Sequence, residues 1–195
     1  MRCRVVLMRH AVPAQEGCFL GQLDVQLGKK GRRQLREVAQ KLSPYRVEAV
    51  YSSDLSRSRI TAEATARLGG IHIETRPGFR EMHFGVWQGL SWKQIEKRFP
   101  RLARRWLEEF PHGSIPGAEP FSEFKKRVRQ ELRKIIAKHP GGCVLVVTHA
   151  GVIRSILAQA LGVRDRNLFR MAQDYCGVSV IDYLRDEVMV RCLNG

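Results

Sequence analysis

Nothing in this sequence of 195 residues is apolar for long enough to span a bilayer as a helix. An early apolar run, Val5, Val6, Leu7 and Met8, is too short for the core of a secretory signal and leads directly into Arg9-His10. A cytoplasmic protein with no membrane partner is the expectation. Cysteine is scarce and unpatterned: Cys3, Cys18, Cys143, Cys176 and Cys192 make an odd number with no C-x-x-C pair, which argues against a disulfide framework or a zinc knuckle. They read as small buried hydrophobes kept reduced, with Cys18, in a loop, the position to watch for reactivity. Also missing are G-x-x-x-x-G-K-[ST], H-E-x-x-H and G-x-S-x-G, and there is no cluster of carboxylates suited to magnesium. Repeats, low-complexity stretches and an obvious linker are absent too. A content of 44% hydrophobic and 27% charged residues describes one globular domain, 1–195, able to bury a core without disulfides or metal.

Acidic residues are the other shortage. Against 34 Lys and Arg stand 19 Asp and Glu, a formal net charge of +15, which implies an anionic partner. Part of the excess falls on a helical face at Lys125, Lys126, Arg127, Arg129, Arg133, Lys134 and Lys138. That face lacks interleaved aromatics and matches no DNA or RNA module, so it reads as solvated and no specific nucleic acid is expected. The remainder is free to line a site for phosphorylated substrates.

What is present is an alternation of strands and helices. An apolar run over residues 5–8 ends in Arg9-His10-Ala11, and a second over 144–147 ends in Thr148-His149-Ala150-Gly151. A buried strand that stops at a charged residue and turns through small ones delivers that side chain to the carboxyl edge of a parallel sheet, the usual ligand side of an open α/β fold. Between the two runs lie a Gly-containing loop over 12–28, then a helical pattern with Leu35, Val38, Ala39 and Leu42 on one face, stopped by Ser43-Pro44. A strand at 48–51 comes next. It leads through Ser52-Ser53-Asp54-Leu55-Ser56 into a helix with Ile60, Ala64 and Leu68 at apolar spacing and Gly69-Gly70 as its stop. A short strand follows at 71–74. This β-α-β-α-β order predicts a three-layer α/β/α fold, a mainly parallel sheet with helices on both faces.

Residues 76–117 differ in kind. Phe79, Phe84, Trp87, Trp92, Phe99, Trp106 and Phe110 sit in short helical patterns broken by Pro100 and Pro111, like a lid packed over a pocket, with the aromatics expected in its core. A longer helix from Phe121 to about 139 turns Phe124, Val128, Leu132, Ile135 and Ile136 inward, and another runs through Ile153, Ile156, Leu157 and Leu161. Alternation at Val178, Val180, Ile181 and Tyr183, then Val188, Val190 and Cys192, predicts a terminal β-hairpin.

The two strand-end histidines read as partners. Arg9 beside His10, and Arg57 one turn into a helix that follows a strand, bring two guanidinium forks to the same sheet edge as two imidazoles. That set suits a phosphoryl group. An imidazole nitrogen can attack phosphorus to form a phosphohistidine, while arginines and a second histidine hold the equatorial oxygens. On this chemistry no metal or other cofactor is expected.

Four segments in order carry the reading further. Leu7-Met8-Arg9-His10 resembles the nucleophile motif of the histidine phosphatase superfamily, also called phosphoglycerate mutase-like. Ser52-Ser53-Asp54-Leu55-Ser56-Arg57, followed by Thr61-Ala62-Glu63, resembles its second-arginine motif, and Arg80-Glu81-Met82-His83-Phe84-Gly85-Val86-Trp87-Gln88-Gly89 its acid motif. Val147-Thr148-His149-Ala150-Gly151-Val152-Ile153-Arg154 resembles its second-histidine motif. The resemblance covers almost the whole chain. It implies the phosphoglycerate mutase-like α/β fold and His10 as the phospho-accepting nucleophile. Arg9, Arg57 and His149 are implied to bind the phosphoryl oxygens, with Ala150 beside them. Glu81 is implied as the acid that protonates the leaving oxygen and then helps activate water. Spacing from Leu55 favours Arg57 over Arg59. Gly117-Ala118-Glu119 resembles a segment that helps line the family's pocket, which makes Glu119 a candidate binding residue, although an acidic residue near a helix start also favours its dipole. His83 and His112 read as bystanders.

Two departures from the family pattern stand out. Ala11 follows the nucleophilic histidine where glycine is usual, so the turn must accept a Cβ near the phosphate, and the loop over 12–17 offers no asparagine to it. The stretch 18–27 resembles α-ribazole phosphatase-like members. The implied activity is a metal-independent phosphomonoesterase that hydrolyses a small phosphorylated metabolite through phosphohistidine, with α-ribazole 5'-phosphate a candidate. One alternative is a phosphoglycerate mutase using the same histidine, against which the segment between Glu81 and His149 is short for the insertion that mutases use to enclose substrate. The other is a noncatalytic basic binding protein on the same fold, against which His10, Arg57, Glu81 and His149 are all present. A homodimer is left open.

Overall fold

The computed structural model describes residues 3–66 and 70–195. Its strands are β1 (Cys3–Arg9), β2 (Ala49–Ser52), β3 (Ile73–Thr75), β4 (Cys143–Thr148), β5 (Val178–Tyr183) and β6 (Val188–Cys192). They form one sheet in the order β3-β2-β4-β1-β5-β6. The first four in that order run parallel, and the terminal hairpin adds β5 antiparallel to β1, with β6 outside it. The expected mainly parallel sheet is the one that forms. Its central strands are unbroken apolar runs because both faces are covered. Val5 and Leu7 of β1 and Val144 and Val146 of β4 pack in one cluster with α5 (Phe121–Lys138) and α6 (Ala150–Leu161). Val6, Met8, Leu145 and Val147 pack in another with α1 (Lys29–Leu42) and α2 (Ser56–Ala66). Each of these fully buried side chains contributes about 1.5–3 kcal/mol.

Helix α2 departs from the expected stripe. Ile60 and Ala64 lie at the margin, and the buried face is Arg57, Ser58, Thr61, Ala62, Thr65 and Ala66; Leu68 and Gly69 fall outside the described residues. The hydroxyls of this face are satisfied by backbone carbonyls. Ser58 Oγ donates to Val147 O, Thr61 Oγ1 to Arg57 O and Thr65 Oγ1 to Ala62 O, each at 2.7 Å. Short side chains of this kind suit a helix set close against its sheet, and they leave room on that face for one long residue, Arg57.

Residues 76–117 fold into two 3-10 turns (Pro77–Phe79 and Gly85–Trp87), α3 (Trp92–Arg98) and α4 (Pro100–Glu109). A capping box of Ser91 and Gln94 starts α3, and Pro100 sits at the start of α4, where its missing N–H costs nothing. Their inward faces make an apolar cluster of their own around Trp87, Ile95, Ala103, Trp106 and Ile115. Gly85 joins the second 3-10 turn to residues 116–118: it has a positive φ of 54°, and a Cβ there would stand 2.1 Å from Pro116 O.

Candidate active site

Strand register decides where the two histidines meet. Arg9 of β1 pairs directly with Thr148 of β4, and His10 N donates to Thr148 O at 2.9 Å, so the residues that follow both strands emerge side by side. The His10 and His149 rings meet edge to face with centroids 5.1 Å apart. Both residues are buried. His10 Nδ1 lies 2.8 Å from Ala11 O. A carbonyl can only accept, which assigns the ring proton to Nδ1 and leaves the lone pair on Nε2. His149 Nε2 lies 2.9 Å from Ser53 Oγ, which itself accepts from Leu55 N. With the Ser53 hydroxyl donating to Nε2, His149 carries its proton on Nδ1, a buried atom without a partner. Burial, and after it the Arg57 guanidinium, pushes both imidazoles well below their usual pKa, so both are neutral near pH 7. Neutral imidazole is the nucleophilic form.

The arginines are braced by backbone carbonyls. Arg9 Nη1 donates to Gln173 O at 2.6 Å, and its guanidinium lies over the Tyr175 ring, 3.7 Å from the centroid. Arg57 is buried. Its Nη1 and Nη2 donate to Leu23 O and Gly21 O, which ties the 12–28 loop to α2. The same loop sends Asp24 to the start of α2, where its carboxylate accepts from Ser56 N at 2.6 Å and Ser56 Oγ at 2.8 Å. Arg59 points away and pairs with Glu63 on the surface, as the spacing argument expects. Each of the two arginines also keeps an Nε that is buried and unpartnered, as is His149 Nδ1. Arg9, Arg57 and His149, the residues that carry these donors, line one cavity with His10, a set that suits an anion.

Glu81 enters the same cavity. Its Oε2 accepts from Gly151 N, in the first turn of α6, and its Oε1 from Met82 N, each at 2.9 Å. A Cβ at Gly151 would stand 2.3 Å from Oε1, so any other residue there would push the carboxyl out of this position. The backbone behind Glu81 is gripped by Arg127 of α5, whose Nη atoms donate to Gly78 O, Arg80 O and Glu81 O. Arg127 also forks onto Glu119 at 2.6 and 2.9 Å. Two expectations are corrected here. Arg127 is a clamp between elements, not part of a solvated basic face. Glu119 is spent on it and does not line the cavity of His10, lining instead a larger groove of about 860 Å³ that shares Trp106, Phe110 and Phe121 with that cavity.

The cavity that holds His10 has a volume of about 330 Å³. Ala150 lines it, as do Pro13 and Gly17 of the loop that lacks asparagine. Ala11 does not: its methyl packs into the core, and its N–H donates to Thr61 Oγ1 at 3.0 Å. Of the aromatics expected in a lid core, Phe79 and Trp87 are fully buried, while Phe84, Trp106 and Phe110 also show a face to the cavity. Sequence reasoning missed Ser53, Tyr175 and Arg154. Ser53 and Arg154 lie inside recognised motifs, so their position was a signal; Tyr175 lies in an irregular segment with none. Among the described residues, no group of three or more His, Cys, Asp or Glu is arranged to hold a metal, and no helix is long and apolar enough to cross a membrane. All five cysteines are free. Burial pushes Cys3 and Cys176 up to about 11, and Cys18 stands half-buried at the cavity wall.

The family model of the histidine phosphatase superfamily (branch 1) matches residues 5–195. Phosphoserine phosphatase 1 of Hydrogenobacter thermophilus is 28% identical over 180 residues, covering 91% of this chain and 85% of that one. The metal-independent phosphoserine phosphatase of Arabidopsis thaliana is 34% identical over 157 residues, covering 78% and 66%. The crystal structure of the α-ribazole phosphatase from Shigella flexneri matches with a TM-score of 0.87 over 98% of this chain and 96% of that one; at 23% identity the likeness is one of fold.

Proposed function

This chain belongs to the histidine phosphatase superfamily, and on that footing we propose that it is a metal-independent phosphomonoesterase that hydrolyses small phosphorylated metabolites through a phosphohistidine on His10. The observation that carries the reading is the cradle of unpartnered buried donors, Arg9 Nε, Arg57 Nε and His149 Nδ1, beside the lone pair of His10 Nε2. In the first half-reaction Nε2 attacks phosphorus, the P–O bond breaks, and Glu81 gives its proton to the departing oxygen. The three donors hold the equatorial oxygens as charge gathers on them. In the second, Glu81 takes a proton from water as its oxygen attacks phosphorus, and the P–N bond breaks to free His10 and phosphate. Both sequence relatives named above bear phosphatase names, which supports hydrolysis over isomerisation. The wall formed by residues 76–117 acts as a lid-like cover, and the five free cysteines support a reducing compartment, the cytoplasm. α-Ribazole 5'-phosphate is a candidate substrate, supported by the 18–27 stretch, of which Cys18, Phe19, Leu20 and Gly21 line the cavity.

Labelling with an alkaline detergent quench, followed by acid treatment of part of the sample, tests the reading. Phosphate-labelled p-nitrophenyl phosphate should leave acid-labile phosphate on the wild-type protein and none on His10→Ala, and EDTA should leave turnover intact. Label retained by His10→Ala, or EDTA-sensitive activity restored by a divalent ion, would overturn it. With 3-phosphoglycerate, inorganic phosphate should appear without isomerisation to 2-phosphoglycerate.

A further inference from the structure

Away from the phosphoryl end the cavity changes character. Its far walls are Phe19, Leu20, Phe84, Trp106, Phe110 and Phe169, and the aromatic members already meet one another in tilted or edge-to-face pairs: Phe110 and Phe169 at 5.0 Å, Trp106 and Phe169 at 5.2 Å, Phe19 and Phe84 at 5.2 Å between centroids. Among the residues that line the cavity, Glu81 is the sole carboxylate, and there is no Asn, Gln, Ser, Thr or Lys. Polar reach at this end comes from Arg154 and Tyr175. Each is already stacked: the Arg154 guanidinium lies over Phe169, 5.6 Å from its centroid, with Nε donating to Met171 O at 2.9 Å, and Tyr175 lies under Arg9.

The consequence for substrate choice is electrostatic. A leaving group that carries an ammonium would bring a further positive charge into a space already holding Arg9, Arg57 and Arg154, and its one acidic partner on the protein would be Glu81, which the reaction needs. An ion left unpaired in such surroundings is costly. A flat apolar ring meets no such obstacle and can join the edge-to-face packing of the wall. The volume of about 330 Å³ is at the small end of ligand sites, enough for a phosphoryl group and a compact ring system.

We propose that this site takes phosphate esters whose leaving group bears a planar aromatic ring, and that it discriminates against the zwitterionic ester phosphoserine, the compound named in both relatives. The proposal rests on the phosphomonoesterase reading above. It is tested by kcat/KM for three alkyl esters, 2-phenylethyl phosphate, ethyl phosphate and O-phospho-L-serine, so that each leaving group is an alkoxide. The ammonium of phosphoserine acidifies its departing hydroxyl, a bias against the prediction. The ring ester should exceed each of the others by about tenfold, chiefly through KM. Phe169→Ala should cut the ratio of phenylethyl to ethyl ester about threefold or more; Phe169 is 53% exposed, so the fold does not depend on it. Phosphoserine used as well as the ring ester, or a ring preference unchanged in both Phe169→Ala and Phe110→Ala, would overturn the inference while leaving the phosphatase in place. No phosphate from any ester, together with no acid-labile label from p-nitrophenyl phosphate, would overturn the phosphatase reading and this inference with it.

Discussion

Glu81 has each of its oxygens tied to a backbone N–H, one from its own neighbour Met82 and one from Gly151 at the start of α6. This fixes the plane of the carboxyl beside His10, and it makes two substitutions informative. Glu81→Gln keeps the shape and loses the proton. Gly151→Ala keeps the proton and displaces the group, since the new Cβ would fall 2.3 Å from Oε1. An alkyl alkoxide needs a proton as it leaves, whereas p-nitrophenolate departs unaided. Both variants are therefore expected to slow phosphoenzyme formation from an alkyl phosphate at least tenfold more than from p-nitrophenyl phosphate, read in single turnover so that slow dephosphorylation does not hide the contrast. Equal slowing with both esters would assign Glu81 to positioning alone.

At the level of elements, the site is held by segments that bridge distant parts of the chain. The 12–28 loop is pinned by Arg57 and in turn caps α2 with Asp24, so the helix that presents Arg57 is stabilised by the loop that Arg57 holds. On the other flank, Arg127 joins α5, Glu119 and the backbone at 78–81. Two other cations of α5 also bridge elements, Lys125 to Asp165 at 2.7 Å and Lys138 to Glu74 of β3 at 3.1 Å. Lys126 and Lys134 instead pair within the helix, with Glu123 and Glu131, where such bonds contribute under about 1 kcal/mol. Arg127→Met should cost about 2 kcal/mol in urea unfolding, because it strands the Glu119 carboxylate and frees three carbonyls. Adding Glu119→Leu should recover part of that loss, since no carboxylate is then left behind. Strictly additive losses would mean that the two residues do not act as a pair.

For the molecule as a whole, the two site histidines set a pH limit. Both are held neutral by burial, well below the value near 6.5 of the free side chain. Below that value the unfolded chain binds more protons than the folded one. The fold therefore keeps full stability above about pH 6.5 and loses it as pH falls, by up to about 1.4 kcal/mol per pH unit for each histidine. Comparing urea midpoints near pH 7.5 and pH 5.5 should show a smaller acid loss in His149→Gln than in wild type; equal losses would remove the histidines as the cause. The layered architecture, and the meeting of Arg9, His10, Arg57, Glu81 and His149 around one cavity, were legible because each segment is local. An apolar run covered on both faces reads as a central strand, and a motif such as Arg9-His10 or Thr148-His149-Ala150-Gly151 sits at the strand end that delivers it. The buried face of α2 was less legible: Ser, Thr and Ala are ambiguous until the backbone acceptors that satisfy them are in place. Arg127, Glu119 and Tyr175 could not be assigned from sequence, because a basic residue on an amphipathic helix looks the same whether it meets water or a carboxylate eight residues before it. By itself the sequence determined the order of elements, which side chains stand at the ends of β1 and β4, and the surplus of positive charge. The tertiary structure decided which cations are spent on carbonyls and carboxylates, that Glu119 stands outside the cavity, and that the leaving-group end is aromatic. Those outcomes depend on burial and pairing between segments far apart in the chain, and they exist once the sheet has brought its edges together.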